Sequence, residues 1–339
     1  TSSTNMAVGY GAAVANGKEN LWGTKLIFVE PESEHSSASA AEGYALAGGR
    51  VTNFTSGQGL ILMKEVLYVI SGKRLPVVFH IGARAMTSQS LNVHAGHDDI
   101  MGAADCGWGI VFARNAQEAG DLALISRRAA EASSTPFFNV QDGFLTTHTI
   151  ENVLFCEPEL MKEFVGNPAD HLRNLMDPYN PVMSGVVQNQ DSFMKGKIAQ
   201  RHFTSLVKPA LKEAMESFTE LTGRKYDFID SYKMEDAEYA IIGIGSMIET
   251  ATTVVDHLRS LGRKVGCVHV TCFRPFPSAE LAAAVSTCKA VAVLERLDDP
   301  LSQSNPLTVE FKASIADAMQ GSVGFPPLTS MPKIHSGSY

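Results

Sequence analysis

The stretch Gly109-Ile-Val-Phe-Ala-Arg-Asn-Ala-Gln-Glu-Ala-Gly-Asp-Leu-Ala-Leu-Ile-Ser-Arg-Arg-Ala-Ala-Glu-Ala-Ser-Ser-Thr-Pro-Phe-Phe-Asn-Val140 carries the repeating unit of the fold. Its ends, residues 109–113 and 136–140, are short apolar runs without in–out alternation, the pattern of strands covered on both faces. Residues 116–132 between them read as a helix, with Leu122, Leu124 and Ile125 on the apolar side. Gln117, Glu118, Asp121, Arg127 and Arg128 supply its polar face. A buried strand, a helix and a second buried strand imply a parallel sheet with helices on both sides.

The same rhythm extends outward. Further strands are predicted at 25–29, 50–55 and 76–81, and a helix at 60–70. From about residue 150 to 223 the rhythm breaks, punctuated by Pro158, Pro168, Pro178 and Pro181. A longer helix is expected at 206–221, and Thr222-Gly-Arg-Lys225 reads as its stop and a linker. Alternation then resumes: strands at 239–244, 264–270 and 289–294, helices at 247–261, 278–286 and 306–319. The fold class expected is α/β: a first domain over 1–228 built on a parallel sheet covered by helices, then a smaller doubly wound domain over 229–339.

Composition narrows the function. With 45% hydrophobic and 19% charged residues, the 339-residue chain can bury a sizeable core. Its net charge of −8 argues against nucleic acid or an anionic membrane surface as partner. No apolar run approaches the roughly 18 residues of a membrane span. The start, Thr1-Ser-Ser-Thr-Asn-Met6, has neither a basic region nor a signal-peptide core, and without an initiator Met the chain is expected to be processed or cut from something longer. Its five cysteines, Cys106, Cys156, Cys267, Cys272 and Cys288, include no C-x-x-C pair and read as free buried thiols in a reducing compartment, the cytoplasm or an organelle matrix.

Several constellations have the residue types that chemistry needs. Glu34 stands at the start of a run of small residues, Ser36-Ser-Ala-Ser-Ala-Ala41 and Gly43. A helix this bare admits a backbone or a flat ring, and the dipole at its start favours negative charge. Read differently, it is an ordinary acidic helix N-terminus with packing alanines. Thr55-Ser-Gly-Gln-Gly59 follows one strand and opens a helix, so its glycines allow close approach to a ligand, although it lacks a Walker ending. Arg84 follows the next strand, where open α/β sheets bind ligands, and its guanidinium suits a carboxylate; a surface or capping salt bridge is the alternative. His94, His97, Asp98 and Asp99 fit no strong metal pattern, and no metal-ligating residue is assigned. Ile242-Gly-Ile-Gly245-Ser246 is half a dinucleotide fingerprint, with Ile248 where the third glycine would stand.

Taken in order, the motifs spell a family. Glu32-Ser-Glu34, Phe54-Thr-Ser-Gly-Gln-Gly59, Ile70-Ser-Gly72, Leu75-Pro76, Phe79-His80, Ala83-Arg84-Ala85, His97 and Asp142-Gly-Phe144 closely resemble the N-terminal region of the pyruvate:ferredoxin (flavodoxin) oxidoreductases. Gln188-Asn189-Gln-Asp191, Leu221-Thr-Gly-Arg224, Gly245-Ser246, Arg274-Pro-Phe276 and Pro332-Lys333-Ile334 extend the resemblance nearly to the end. It implies a thiamine-diphosphate fold with a pyrimidine-binding first domain that lacks its N-terminal strand, followed by a domain like the transketolase C-terminal domain.

The resemblance also assigns roles. Glu34 falls on the family's cofactor glutamate, which faces the aminopyrimidine N1′. Arg84 falls on the arginine that binds the substrate carboxylate. Thr1 falls on a threonine whose hydroxyl contacts the 2-oxo acid; the preceding Tyr-Pro-Ile is absent and the following Pro is Ser2. The implied reaction is oxidative decarboxylation of pyruvate to acetyl-CoA and CO₂, with electrons passed to ferredoxin or flavodoxin. A relative acting on 2-oxoglutarate, a branched-chain oxo acid or oxalate is the alternative, and a non-catalytic assembly module of the same fold is another. The family's Gly-Asp-Gly motif for Mg²⁺ and diphosphate is missing, Gln141-Asp-Gly143 standing instead, as are the cysteine runs for iron–sulfur clusters. Mg²⁺, clusters and coenzyme A are therefore expected on remaining domains or subunits, in a homodimer of the complete enzyme.

Overall fold

A computed structural model describes residues 3–339. Its first part runs α1 (Thr4–Ala15), α2 (Glu34–Leu46), β1 (Thr52–Thr55), α3 (Gln58–Leu62), α4 (Lys64–Gly72), β2 (Val78–Ala83), α5 (Asp98–Gly102), β3 (Gly109–Ala113), α6 (Ala116–Ser133) and β4 (Phe137–Asp142). Four helices follow: α7 (Pro158–Val165), α8 (Pro168–His171), α9 (Gln190–Thr204) and α10 (Val207–Thr222). The last part comprises β5 (Ile229–Tyr232), β6 (Tyr239–Gly243), α11 (Met247–Ser260), β7 (Val265–Val270), β8 (Cys272–Arg274), α12 (Ser278–Ala284), β9 (Ala290–Glu295), α13 (Pro306–Gln320) and β10 (Lys333–Ser338).

The strands form two sheets, ordered β1-β2-β4-β3-β8 and β10-β9-β6-β7-β5. The first four strands of each are mutually parallel, and each sheet closes with one antiparallel edge strand, β8 on β3 and β5 on β7. Alternation along the strands then divides the core. Phe79, Ile81, Ile110, Phe112, Phe138 and Val140 face one side, in a cluster with Val66, Leu67 and Ile70 of α4 that continues into Ile242, Val268 and Val293 of the second sheet. Val78, Val111, Ala113 and Phe137 face the other, against Leu122, Ile125 and Ala129 of α6 and Leu211 and Phe218 of α10. Each fully buried Phe or Leu contributes about 1.5–3 kcal/mol. The expected strand–helix alternation is present in both parts, and β8, from the far end of the chain, sews the second part to the first sheet.

Three local expectations change. Residues 25–29 do not join the sheet: Lys25 only bridges Glu19, and Ile27 and Val29 are 64% and 63% exposed. A cavity of about 690 Å³ is walled by residues 24–34 on one side and by Val51, Thr52, Asn53 and Phe54 of the sheet edge on the other. With no layer over their outer face, Ile27 and Val29 have nothing to bury against, and the propensity for strand goes unused. The helix expected over 60–70 is two, α3 and α4, meeting at Met63. The polar face of α6 is largely internal. Asp121 receives both the guanidinium of Arg224 (2.6 and 2.9 Å) and the Tyr226 hydroxyl (2.7 Å), while Arg127 donates to the carbonyls of Pro76 and Val51. Charge pattern alone does not distinguish a solvated face from one that meets buried partners.

Candidate active site

Parallel pairing of β1 with β2 brings the ends of both strands to one edge, so the turn after Thr55 lies beside the residue after Ala83. That turn is Ser56-Gly57, with Gly57 at φ +57°, a conformation that side chains rarely adopt. Its glycines do not wait for a ligand; each receives a side chain. A Cβ on Gly57 would stand 2.3 Å from Arg84 Nε. A Cβ on Gly59 would stand 2.8 Å from Glu34 Cγ and 2.9 Å from Glu34 Oε1. The turn thus brings Glu34 and Arg84, fifty residues apart in sequence, to glycines two residues apart.

Glu34 is the first residue of α2, after the N-cap Ser33, whose hydroxyl accepts from the Ser36 amide at 3.2 Å. Its side chain is exposed and reaches the mouth of the 690 Å³ cavity, which Tyr10, Phe28, Phe54 and Met63 also line. The small residues of α2 divide between two tasks. Ala38, Ala41 and Ala45 are buried and let the helix lie close to the sheet, while Ser39 and Ala40 stay exposed. Close packing therefore accounts for the first three; the bare outer surface beside Glu34 has no such explanation.

Arg84 is half-buried. Its backbone amide donates to Asp99 Oδ2 at 3.2 Å, and its Nη2 to Gln58 Oε1 at 3.4 Å. Its Nε is buried without a hydrogen-bond partner among the described residues. Such a guanidinium has spare donors, the requirement for pairing with a carboxylate from outside the chain. Asp99 is fully buried and accepts three amides, from Gly57 at 2.7 Å, Arg84 at 3.2 Å and Ile100 at 2.7 Å. Burial pushes its carboxyl up to about 7, against the downward pull of those amides.

The His97 end of the same segment turns the other way. His97 Nε2 lies 2.7 Å from Asp142 Oδ1, both side chains being fully buried. Asp142 Oδ2 accepts from the Ser246 amide at 3.0 Å and hydroxyl at 2.6 Å, with Arg296 Nε at 3.7 Å. These partners hold the Asp142 carboxyl at about 2 despite its burial. Gly245, at φ +73°, is bare because a Cβ there would stand 2.7 Å from Asp142 Oδ1. The half-fingerprint of the second part therefore cradles a carboxylate of the first part. In Gln141-Asp-Gly143 the aspartate is committed to protein partners, and among the described residues no group of three or more His, Cys, Asp or Glu is arranged to hold a metal ion. Arg274 pairs with Glu310 at 2.6 Å. All five cysteines are free and buried. Thr1 lies outside the described residues. Asp98 and Asp99 stand in the first turn of α5, and the return of the chain after β2 gives Asp99 a second place, beneath Gly57 and Arg84, that no sequence pattern marks.

An exposed carboxylate and an underused guanidinium face one glycine turn at the carboxyl ends of parallel strands, the edge at which open α/β sheets bind ligands. Residues 1–216 match the family model described as pyruvate flavodoxin/ferredoxin oxidoreductase, thiamine diP-binding, and residues 237–325 that of pyruvate:ferredoxin oxidoreductase core domain II. The pyruvate-flavodoxin oxidoreductase of Klebsiella pneumoniae is 36% identical over 315 residues, covering 92% of this chain and 27% of that protein. The pyruvate-flavodoxin oxidoreductase of Nostoc sp. (strain ATCC 29151 / PCC 7119) is 34% identical over 342 residues, 100% of this chain and 82% of that sequence. The pyruvate synthase subunit PorA of Thermotoga maritima is 39% identical over 275 residues, 80% of this chain and 69% of the subunit. In fold, the chain is similar to the 2-oxoglutarate:ferredoxin oxidoreductase of Magnetococcus marinus, with a TM-score of 0.66 at 18% identity over 98% of this chain and 57% of that one. The chain belongs to the pyruvate flavodoxin/ferredoxin oxidoreductase family. It spans 27% of the Klebsiella relative and 28% of one from Trichormus variabilis. No helix among the described residues is long and apolar enough to cross a membrane.

Proposed function

We propose that this chain is the pyrimidine- and 2-oxo-acid-binding part of a thiamine-diphosphate enzyme that oxidatively decarboxylates pyruvate to acetyl-CoA and CO₂, with ferredoxin or flavodoxin as electron acceptor. The observation that carries the reading is the convergence of Glu34 and Arg84 on Gly59 and Gly57. The names of its relatives, pyruvate-flavodoxin oxidoreductases and a pyruvate synthase subunit, favour pyruvate. The site fits the cofactor's ring: Gly59 leaves space for the Glu34 carboxylate, and aromatic side chains wall the cavity beside it.

When bound, thiamine diphosphate supplies a carbon nucleophile for the 2-oxo carbonyl. Glu34 shares a proton with N1′ of the aminopyrimidine and so controls the ring's tautomer. Arg84 grips the substrate carboxylate through its planar fork and orients the carbonyl. It aids binding more than the loss of CO₂, because the carboxylate it holds loses its charge in that step. By its place in the family motif, we assign Thr1, which lies outside the described residues, to the same 2-oxo acid. Mg²⁺, the diphosphate, coenzyme A and the iron–sulfur clusters belong to further domains or subunits, and the complete enzyme is a homodimer. The commitment of Asp142 to His97 and Ser246 favours this division of labour. We place the domain boundary at 228/229, since Ile229 opens the first strand of the second sheet, and the location in a reducing cytoplasm or organelle matrix, in keeping with five free thiols.

The test is Glu34→Gln in the complete enzyme. Turnover of pyruvate should fall by about two orders of magnitude or more, because the amide cannot share the proton. Thiamine diphosphate affinity should change far less. Near wild-type turnover would overturn the assignment.

A further inference from the structure

We propose that Asp99 is the positioning residue that sets the pose of the Arg84 guanidinium, by holding the amides of Gly57 and Arg84 on one carboxylate oxygen. The inference rests on the reading of Arg84 as the carboxylate site and adds a residue to it.

Hydrogen bonds hold the Arg84 guanidinium loosely. Its side-chain contact within the chain is a long bond to Gln58, at 3.4 Å, and its buried Nε has no hydrogen-bond partner among the described residues. Side-chain bonds therefore do not fix its place; the backbone on either side does. Arg84 lies at the end of β2 and rests on Gly57, in the turn after β1. The strand pairing ends at Thr55 with Ile81, and beyond it the Gln58 side chain, meeting Arg84 Nη2 and Thr87 Oγ1, is one link between the two segments. Asp99 Oδ2 joins their backbones, accepting from Gly57 at 2.7 Å and from Arg84 at 3.2 Å. Its other oxygen is taken by Ile100 at 2.7 Å, which orients the carboxylate. The contact between Arg84 and Gly57 tolerates no side chain, so a small shift of either segment changes where the fork points.

The nature of the acceptor supports the role. A fully buried carboxyl, costly to place there, stands where a neutral acceptor would satisfy the same amides. Burial pushes this carboxyl up, so the cost is borne in the fold.

The experiment compares Asp99→Asn, Asp99→Ala and Arg84→Met in the complete enzyme. Three quantities are read: KM and kcat for pyruvate, the Kd of oxamate by equilibrium dialysis, and hydrogen exchange at the Gly57 and Arg84 amides. In Asp99→Ala, exchange at both amides should rise on the order of tenfold or more. KM and oxamate Kd should rise about 10- to 100-fold, with saturated kcat within about threefold of wild type. Asp99→Asn keeps an oxygen for both amides and should fall between, at about 3- to 10-fold; it also carries the test if Asp99→Ala does not fold. A merely structural role would lower stability and kcat without this split. If Arg84→Met raises KM and Kd but folded Asp99 variants leave both at wild type, the positioning role is refuted and the reading of Arg84 stands. If Arg84→Met also leaves both unchanged, the carboxylate site itself is wrong and the inference falls with it.

Discussion

Gly59→Ala separates the chemistry of Glu34 from the stability of the fold. The added Cβ would stand 2.8 Å from Glu34 Cγ, 2.9 Å from its Oε1 and 2.8 Å from Thr55 Oγ1. Ordinary contact needs at least about 3.4 Å, so the Glu34 side chain must withdraw by roughly half an ångström or more, or rotate away. Glu34 is exposed, and its rotation costs the fold little. Gly59 lies within α3, where alanine gains up to about 1 kcal/mol over glycine, offset by the displacement of the buried Thr55 hydroxyl. The melting temperature should therefore move by only a few degrees in either direction. Misplacing a catalytic group by about 1 Å costs on the order of a hundredfold, or about 2.7 kcal/mol of barrier, and that is the expected fall in kcat for the complete enzyme. Differential scanning calorimetry and pyruvate-dependent reduction of the electron carrier provide the two measurements. Wild-type kcat in a folded Gly59→Ala enzyme would refute the argument that Gly59 is bare to seat Glu34.

Loss of the Arg84 fork should weaken substrate binding by about 2–4 kcal/mol in Arg84→Met, with Arg84→Lys between it and wild type and cofactor affinity unchanged in both; steady-state kinetics with a parallel thiamine diphosphate titration check this. The Asp142 carboxyl is held down at about 2 by His97, Ser246 and Arg296, so its stabilisation of about 2–3 kcal/mol is complete above the unfolded value near 4 and is lost as pH falls towards 2. Ser246→Ala should reduce that acid-dependent loss, measured by denaturant unfolding across this range. Purified alone, the chain should show no micromolar, Mg²⁺-dependent binding of thiamine diphosphate by calorimetry, because Glu34 reaches only the ring.

What could be read without coordinates follows the rules that act locally. The apolar runs at 109–113 and 136–140 around one helical period suffice for a parallel, doubly covered sheet, because a strand buried on both faces has no other composition open to it. The order of motifs from Glu32 to Ile334 identifies the family, and Arg84 follows a strand's carboxyl end, the position at which open α/β sheets bind ligands. Polar contacts over long separations are invisible at that level. Glu118, Asp121 and Arg127 look like a solvated face until the segment after α10, with Arg224 and Tyr226, and the loops before β1, β2 and α6 supply partners. Gly245-Ser246 looks like a nucleotide turn until Asp142 enters it from the other sheet. Residues 25–29 have the composition of a strand, but a strand needs a neighbour's edge and a layer over its face, and the chain provides neither there. The sequence alone determined the class of fold, the family and the candidate pair Glu34 and Arg84. Only the tertiary structure decided that both meet one glycine turn and that Asp99 ties that turn to Arg84, because a hydrogen bond between residues far apart in the chain depends on where the backbone returns, which no local pattern records.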